Sequence, residues 1–324
     1  MISRRRSLAL LGGGTTLVLA GCGRSRNKNK AVVFATQKSG VPFLAETRGE
    51  FARRLAARGI GPVKWVEFAS GPPLIEALRA GAVDIGLVGD TPVVYAQAAA
   101  TDFYYVAAQS FPGLIGTGII VPKNSTVTSL VQLRGKKIAY TKGSAAEFAL
   151  AVGLKQSGLS LDDIRPANLA PGDAQTALAN GAIDGWVIWD PFYTLAQLRN
   201  GARSIPLPSS NINTVAYYVA SGSFVRDRTD VLRATLDELR TEAAWGNTHR
   251  LYYRDQVAKA TRLPPEVLDS MLARYKDFLF RVDPVTPDII ANQQKVSDYL
   301  FDAHVIPHQV KARKAAWVGW VPRL

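Results

Sequence analysis

VDIGLVGDTP, residues 83–92, joins an apolar run to a turn that begins a helix. The run over 83–88 predicts a buried strand, and Gly89 and Asp90 predict the turn. Pro92 favours the first turn of a helix because its missing N–H would have no acceptor there. A strand that runs directly into a helix is the unit of a parallel β-sheet, so this stretch predicts an α/β fold.

The same alternation of strand-like runs and helical periodicity repeats along the chain. The predicted strand and helix pairs are 31–35 with 43–58, 63–68 with 73–80, 83–88 with 92–100, 137–140 with 145–157, and 183–188 with 191–199. Further strands are predicted over 103–108 and 118–121, and the chain after residue 225 is predicted to be almost wholly helical. About 290 residues follow the N-terminal segment, which is enough for two lobes.

Five predicted strand-to-helix turns share small, polar and capping residues. They are Gln37-Lys38-Ser39-Gly40, Ser70-Gly71-Pro72, Gly89-Asp90-Thr91-Pro92, Lys142-Gly143-Ser144-Ala145 and Trp189-Asp190-Pro191. In an open α/β sheet such turns meet at one edge, where helices begin with free N–H groups and the positive end of the helix dipole. A single turn of this kind is also explained as an ordinary capped helix, but several together predict a site for a small anion.

The expected donors to the anion are the hydroxyls of Thr91 and Ser144 and the amides that follow Gly89 and Gly143. A carboxylate would repel a bound anion, so Asp90 and Asp190 are expected to cap helices or to meet a cationic or hydroxyl part of the ligand. Trp189, at the end of its predicted strand, is expected to form a wall for an apolar ligand tail.

The N-terminus has the pattern of an export signal. Three arginines at 4–6 precede an apolar run over 8–20 that is too short to span a bilayer. The run ends in Leu19-Ala20-Gly21-Cys22, which resembles the bacterial lipobox, where the cysteine thiol receives a diacylglycerol. We therefore predict a lipoprotein signal peptide over 1–21, lipidation of Cys22, a flexible tether over 22–30, and an exported protein anchored by lipid in the periplasm or at the cell surface.

Charge and cysteine content exclude several classes of protein. The formal net charge is +13, but seven basic residues precede residue 31, and the remaining domain carries +6. The basic residues are dispersed among acids rather than gathered in a patch with aromatics, so nucleic acid is not expected as a partner. The single cysteine excludes a disulfide framework or a thiolate metal cluster.

Groups suited to catalysis or metal binding are scarce. The three histidines are His249, His304 and His308, and the i, i+4 pair is interrupted by Pro307 and has no evident third ligand. The chain shows neither a nucleophile elbow nor a phosphate-binding loop. We therefore predict no catalytic residue, no metal and no cofactor.

Several motifs together carry a resemblance to a known family. They are Trp65-Val66-Glu67-Phe68, Gly71-Pro72, Glu76-Ala77-Leu78, Asp84-Ile85-Gly86, Gly89-Asp90-Thr91-Pro92, Ala96-Gln97-Ala98-Ala99, Lys142-Gly143-Ser144, residues 177–181 and Trp186-Val187-Ile188-Trp189-Asp190-Pro191. The chain resembles the aliphatic-sulfonate-binding proteins of ABC importers, within the wider nitrate, sulfonate and taurine substrate-binding family.

The resemblance implies a two-lobed periplasmic-binding-protein fold of type II, in which each lobe is a mixed, mainly parallel sheet flanked by helices. The chain is then expected to cross between lobes at 116–122 and 213–221, with lobe 1 formed by 31–115 and 222–324 and lobe 2 by 116–221. The residues expected to bind ligand are Gln37, Ser70, Gly71, Gly89, Asp90, Thr91, Gly143, Ser144, Ala145, Trp189, Asp190 and Tyr217.

The resemblance also implies a function: capture of an alkanesulfonate-type anion for import as a sulfur source, by a monomer that meets ABC permease and ATPase subunits. After Ser144 the family commonly continues with further serines and a polar pair. This chain instead has Ala145-Ala146-Glu147-Phe148, so a donor is lost and a carboxylate is gained near the expected site. Taurine, nitrate, a sulfate ester, an aromatic sulfonate or a thiamine-precursor pyrimidine stay open as cargo, as do a sensor domain and an enzyme derived from the same fold.

Overall fold

The computed structural model describes residues 28–207 and 212–322, and in these ranges the strands form two five-stranded sheets. The predicted signal peptide and Cys22 lie outside the described residues. The strands are β1 (Val32–Thr36), β2 (Val63–Glu67), β3 (Ile85–Val88), β4 (Phe103–Phe111), β5 (Thr117–Val121), β6 (Lys137–Tyr140), β7 (Arg165–Asn168), β8 (Gly185–Trp189), β9 (Arg203–Ile205) and β10 (Thr214–Ser221).

Helices follow most of the strands and fill the C-terminal part of the chain. They are α1 (Gly40–Arg48), α2 (Glu50–Ala57), α3 (Gly71–Arg79), α4 (Asp90–Ala98), α5 (Ala145–Gln156), α6 (Pro171–Ala179), α7 (Phe192–Asn200), α8 (Gly222–Asp227), α9 (Thr229–Thr248), α10 (Arg250–Thr261), α11 (Pro265–Tyr275) and α12 (Pro287–Asp302). None of the helices in the described ranges is both long enough and apolar enough to cross a membrane.

One predicted helix is two helices in the structure. The sequence predicts a single helix over 43–58, but α1 ends and α2 begins at Gly49. Gly49 has a φ of 72° and donates its N–H to the carbonyl of Ala45 at 3.3 Å. Glycine adopts this left-handed conformation without steric penalty, so it closes one helix and starts the next.

The two sheets have equivalent topologies. In the first, the order is β2-β1-β3-β10-β4, and in the second it is β7-β6-β8-β5-β9. In each, three strands are parallel and the last two run antiparallel to their neighbours. The predicted α/β fold with mixed sheets is confirmed, but the sheets are not mainly parallel as expected, because two of the four strand pairings in each are antiparallel. We call the first sheet with α1–α4 and α8–α12 lobe 1, and the second sheet with α5–α7 lobe 2.

Each sheet is buried on both faces, which explains its nearly continuous apolar strands. In lobe 1, Phe34 faces the cluster under α1, α2 and α9–α11, and Tyr105 faces the cluster under α3 and α4. In lobe 2, Ile138 lies in the cluster with α5, and Trp186 lies in the cluster with α6 and α7.

The position of β10 differs from the prediction. Residues 213–221 were expected to cross over as part of lobe 2, but β10 pairs along its whole length with β3 and β4 in lobe 1. The chain therefore returns to lobe 1 between β9 and β10. An apolar strand that is buried on both faces has the same composition in either sheet, so composition alone does not assign it.

The last residues of the predicted tether are held against lobe 1. The carbonyl of Lys28 accepts the Gly61 N–H at 2.8 Å. The buried Arg228 guanidinium donates to the carbonyls of Lys30 and Ala31 at 2.6 and 2.9 Å. Lys28 and Lys30 of the predicted tether are therefore bound to lobe 1. The planar Arg228 guanidinium suits this contact, because it donates to two neighbouring carbonyls at once.

Candidate functional site

Three helices begin at the same place between the lobes. The N-terminus of α3 touches that of α4 within lobe 1: a Cβ built on Gly71 would lie 2.7 Å from Pro92 Cγ. The N-terminus of α5 approaches from lobe 2, where a Cβ built on Gly89 would lie 3.6 Å from Ala145 Cβ. The missing side chain of Gly71 is therefore what allows the backbones of α3 and α4 to meet.

The turn before α5 also faces lobe 1. Gly143 has a φ of 74°, and a Cβ placed on it would lie 3.6 Å from Pro72 Cγ and 3.8 Å from the Tyr95 ring. Three of the five predicted turns are thus brought together, and they come from both lobes. The positive ends of three helix dipoles meet at this point, which favours an anion.

Some hydrogen-bond donors at this junction have no acceptor. Ser70 is only 4% exposed, and its hydroxyl makes no hydrogen bond within the described residues. The same holds for the backbone amides of Gly71 and Ala145 across residues 28–207 and 212–322. Gly71 and Ser70 belong to buried residues and Ala145 is partly buried, so a ligand that accepts hydrogen bonds would pair with donors that have no acceptor in the described residues.

The two hydroxyls expected as donors are engaged inside the protein. Thr91 Oγ1 donates to Asp90 Oδ1 at 3.0 Å. Ser144 Oγ donates to the carbonyl of Thr141 at 2.6 Å and accepts the N–H of Ala146 at 3.2 Å. Ser144 thus caps its own helix, whereas Thr91 bonds to the neighbouring Asp90, and the contact of either side chain with a ligand stays a prediction.

Asp90 is buried at the start of α4 with 1% of its surface exposed. Burial raises the pKa of its carboxyl to about 6, although hydrogen bonds from Thr91 and from the Val215 backbone partly offset that effect. The Asp90 carbonyl accepts from the buried Gln293 amide at 2.9 Å, which ties the start of α4 to α12. Asp90 was expected to cap a helix, but Gly89 occupies the N-cap position of α4 and makes no side-chain cap hydrogen bond; Asp90 is instead the first residue of the helix, at the positive end of its dipole.

A second carboxylate occupies the start of α5. Glu147 Oε2 accepts the Gly143 N–H at 2.7 Å and the Tyr95 hydroxyl at 2.8 Å. Glu147 is 2% exposed, and burial raises the pKa of its carboxyl. Gly143 was expected among the ligand-binding residues, but its amide is satisfied by this chain itself. Tyr95 carries no sequence signal for this role, since the contact arises only when α4 and α5 meet.

The turn after β8 forms a separate contact between the lobes. Asp190 is buried, accepts from the Thr194 hydroxyl at 2.6 Å, and pairs with Arg274 of lobe 1 at 3.0 Å. Burial raises the pKa of the Asp190 carboxyl, and Arg274 opposes that effect. Gly116, at the entry to β5, has a φ of 66°, and a Cβ there would lie 1.8 Å from the Tyr275 hydroxyl. Arg274 and Tyr275 were missed because nothing in the local sequence of α11 points to lobe 2.

The remaining predicted residues lie in different surroundings. Gln37 is partly buried and donates to the carbonyl of Leu87 at 3.0 Å, beside the junction of α3 and α4. Trp189 is partly exposed at the end of β8. Tyr217 is fully buried in the core of lobe 1, where its ring packs on Tyr105 with 5.0 Å between centroids. The structure accounts for Tyr217 as a core residue, and its ligand contact stays a prediction.

The histidine pair follows helix α12. Helix α12 ends at Asp302, so His304 and His308 do not share a helix. Within residues 28–207 and 212–322, no group of three or more His, Cys, Asp or Glu side chains is placed to hold a metal ion.

Known proteins are similar to this chain in sequence and in fold. The NMT1-like family matches residues 31–260. A protein of Escherichia coli (strain K12) described as an aliphatic sulfonates-binding protein is 32% identical over 255 residues, which are 79% of each chain. A Bacillus subtilis (strain 168) protein of the same description is 31% identical over 91% of this chain and 90% of its own. The solved alkanesulfonate-binding protein of Xanthomonas axonopodis pv. citri, bound to MOPS, is 30% identical, with a TM-score of 0.80 over 89% of this chain and 98% of its own.

Proposed function

The chain belongs to the NMT1-like family, and on that premise we propose that it is the solute-binding protein of an ABC importer, which captures a small sulfonate anion between its lobes. The observation that carries this proposal is the meeting of the N-termini of α3, α4 and α5 between the two lobes. Around that point, Ser70, Gly71 and Ala145 present donors without acceptors in the described ranges.

A sulfonate fits these donors chemically. Its three oxygens share one negative charge and accept hydrogen bonds in several directions, and helix N-termini bind such groups without a formal positive charge. Because the donors come from both lobes, a bound sulfonate joins the lobes, and its release accompanies their separation. That coupling between binding and lobe position suits a protein that hands its cargo to a permease.

Support for a sulfonate cargo also comes from relatives. Two proteins that are 31–32% identical are described as aliphatic sulfonates-binding proteins, and the solved relative holds MOPS, a sulfonate buffer. These relatives are binding proteins, and we propose that this chain likewise carries out no chemical reaction. The organic tail of the sulfonate would extend from the junction toward Gln37 and Trp189.

We also propose export and a lipid anchor at Cys22. The support is the pattern of the first thirty residues, together with a relative described as a periplasmic protein. In cells that express the full chain, Cys22→Ser should move the protein from the membrane fraction to the soluble fraction. A protein that stays with the membrane after this substitution would contradict the anchor.

Binding is tested by calorimetric titration and thermal unfolding of the purified protein with alkanesulfonates, taurine, MOPS, aromatic sulfonates, sulfate, nitrate and thiamine-precursor pyrimidines. At 100 times its dissociation constant, a ligand adds about 2.7 kcal/mol to the free energy of unfolding. We expect this stabilisation with at least one sulfonate. A response to nitrate or a pyrimidine and to no sulfonate would contradict the proposed cargo.

A further inference from the structure

Two of the buried acidic side chains have no cationic partner. In the described part of the chain the buried acids are Asp90, Glu147, Asp190 and Glu242. Glu242 pairs with two arginines of α1 and α2, and Asp190 pairs with Arg274. Asp90 and Glu147 have no Lys, Arg or His within ion-pair distance across residues 28–207 and 212–322, although the positive charge of the exposed Lys142 lowers the pKa of Glu147 against the effect of burial. Burying a carboxylate without a counter-charge is costly, so these two positions require an explanation.

Both unpaired carboxyls lie where the ligand is expected. Asp90 begins α4 and Glu147 lies in the first turn of α5, and these helices meet at Gly89 and Ala145. Asp90 is satisfied locally by Thr91 and backbone groups. Glu147 instead reaches from lobe 2 to Tyr95 of lobe 1, so it lies at the boundary that a ligand between the lobes would occupy.

One oxygen of Glu147 remains without a partner. The hydrogen bonds from Tyr95 and from the Gly143 amide both go to Oε2, and Oε1 accepts none within the described residues. The residue as a whole keeps only 2% of its surface exposed. An unpaired carboxylate oxygen in such a place lacks a donor, and a cationic donor would satisfy both its charge and its hydrogen bonding.

Glu147 also changes what the anion site can hold. It takes the Gly143 amide, which leaves a sulfonate with one donor fewer at α5. It also adds a negative charge beside the anion. A ligand that carries only a sulfonate is repelled by this carboxylate, whereas a ligand with a cationic nitrogen near its sulfonate neutralises it.

We propose that Glu147 makes this cleft selective for sulfonates that carry an ammonium or other cationic nitrogen, which it meets through Oε1, over plain alkanesulfonates. This inference rests on the proposed function, because it assumes that a sulfonate occupies the junction of α3, α4 and α5. Glu147 acts as a specificity-determining residue that contacts the ligand's nitrogen. The donors of Ser70, Gly71 and Ala145 hold its sulfonate.

The test compares taurine with propanesulfonate. The two ligands have nearly the same shape, but taurine carries an ammonium where propanesulfonate carries a methyl group. Calorimetric titrations would be made with the wild-type protein, with Glu147→Gln, and with Glu76→Gln as a control. Gln keeps an oxygen for the Gly143 amide and removes the charge, while Glu76 is exposed and pairs with Arg79. Melting curves of each variant show that it is folded.

We expect the wild type and Glu76→Gln to bind taurine at least tenfold more tightly than propanesulfonate. Glu147→Gln should reduce this ratio at least tenfold, by weakening taurine binding and strengthening propanesulfonate binding. If the wild type binds taurine and propanesulfonate with equal affinity, the inference is overturned, whether or not Glu147→Gln folds. An unchanged ratio of the two affinities in Glu147→Gln would overturn the inference too. That result is expected if Glu147 is neutral and donates a hydrogen bond to the sulfonate. If propanesulfonate binds and taurine does not, the proposed function stands and this inference fails, whereas binding of no sulfonate refutes both.

Discussion

Arg274 Nη1 lies 3.0 Å from Asp190 Oδ2, and this ion pair joins the two lobes. The Asp190 side chain is 1% exposed and the Arg274 side chain 27% exposed, so the carboxylate depends on this partner for its counter-charge. The guanidinium also stacks over the Tyr193 ring of lobe 2 at 5.0 Å from its centroid. The lobes are thus held together at a second place, apart from the junction of the three helices.

Replacing Arg274 should therefore destabilise the protein more than replacing a surface arginine. Arg274→Ala leaves the Asp190 carboxylate buried without a cation, which we expect to cost about 2–3 kcal/mol once the partial exposure of Arg274 is considered. The free energy of unfolding from urea titration measures this cost. Arg281→Ala is the control, because its pair with Asp283 is exposed and lies within lobe 1; we expect less than about 1 kcal/mol there. Equal losses in both variants would contradict the importance of the pair between the lobes.

Ser70 and Ser144 should separate ligand binding from helix capping. The Ser70 hydroxyl has no acceptor in the described residues, so Ser70→Ala should change the free energy of unfolding by less than about 0.5 kcal/mol while weakening sulfonate binding about tenfold. Ser144→Ala removes the cap bond from the Ala146 N–H and the bond to the Thr141 carbonyl, and should cost about 1 kcal/mol of stability. Urea titration and calorimetry on both variants measure the two effects. Unchanged affinity in Ser70→Ala would place the sulfonate elsewhere.

Gly71→Ala tests the close approach of α3 and α4. The added methyl would lie 2.7 Å from Pro92 Cγ, so the helices must shift, at a cost of about 1–3 kcal/mol, and the anion donors must move with them. Gly172→Ala is a matched control, because Gly172 also lies in the first turn of a helix and a Cβ there meets nothing within 4 Å. We expect lower stability and weaker sulfonate binding in Gly71→Ala alone. The same loss in both variants would show that the glycine backbone, rather than the contact with Pro92, is responsible.

The pH dependence of stability should change when Asp90 is replaced. Its pKa is about 6 in the folded protein against an ordinary value of 3.8, so the folded state binds this proton more tightly than the unfolded state. Asp90 therefore makes the protein less stable as the pH rises from about 4 to about 6, and its effect is constant above that range. We therefore compare the free energy of unfolding of the wild type with that of Asp90→Asn. The value for the wild type minus the value for the variant should decrease by about 3 kcal/mol over this pH range. Parallel pH curves for the two proteins would show that Asp90 does not titrate in this range.

The sequence allowed the repeating strands and helices to be predicted because local signals determine them. The apolar run before Gly89 and the proline at residue 92 mark a strand and a helix start that the structure confirms within two residues. Glycine and proline at the starts of α3 and α4 also pointed to where helix N-termini meet. The break at Gly49 was missed because helical periodicity continues across it.

Contacts between distant segments could not be predicted in the same way. The hydroxyls of Thr91 and Ser144 have the right chemistry for an anion, but their choice of Asp90 and Thr141 as acceptors depends on the folded turn. The partners of Glu147 and Asp190 come from α4 and α11 in lobe 1, far away in sequence. Only the packing of one lobe on the other reveals which charged groups are paired and which are not.

A crystal structure of the protein with a bound sulfonate tests the central claim most directly, and MOPS is a suitable ligand because the Xanthomonas relative binds it. We predict sulfonate oxygens within about 3.2 Å of the Ala145 amide in lobe 2 and of the Ser70 hydroxyl or the Gly71 amide in lobe 1. The three helix N-termini would then surround one anion. A sulfonate that contacts only one lobe, or that lies away from the starts of α3, α4 and α5, would contradict the account.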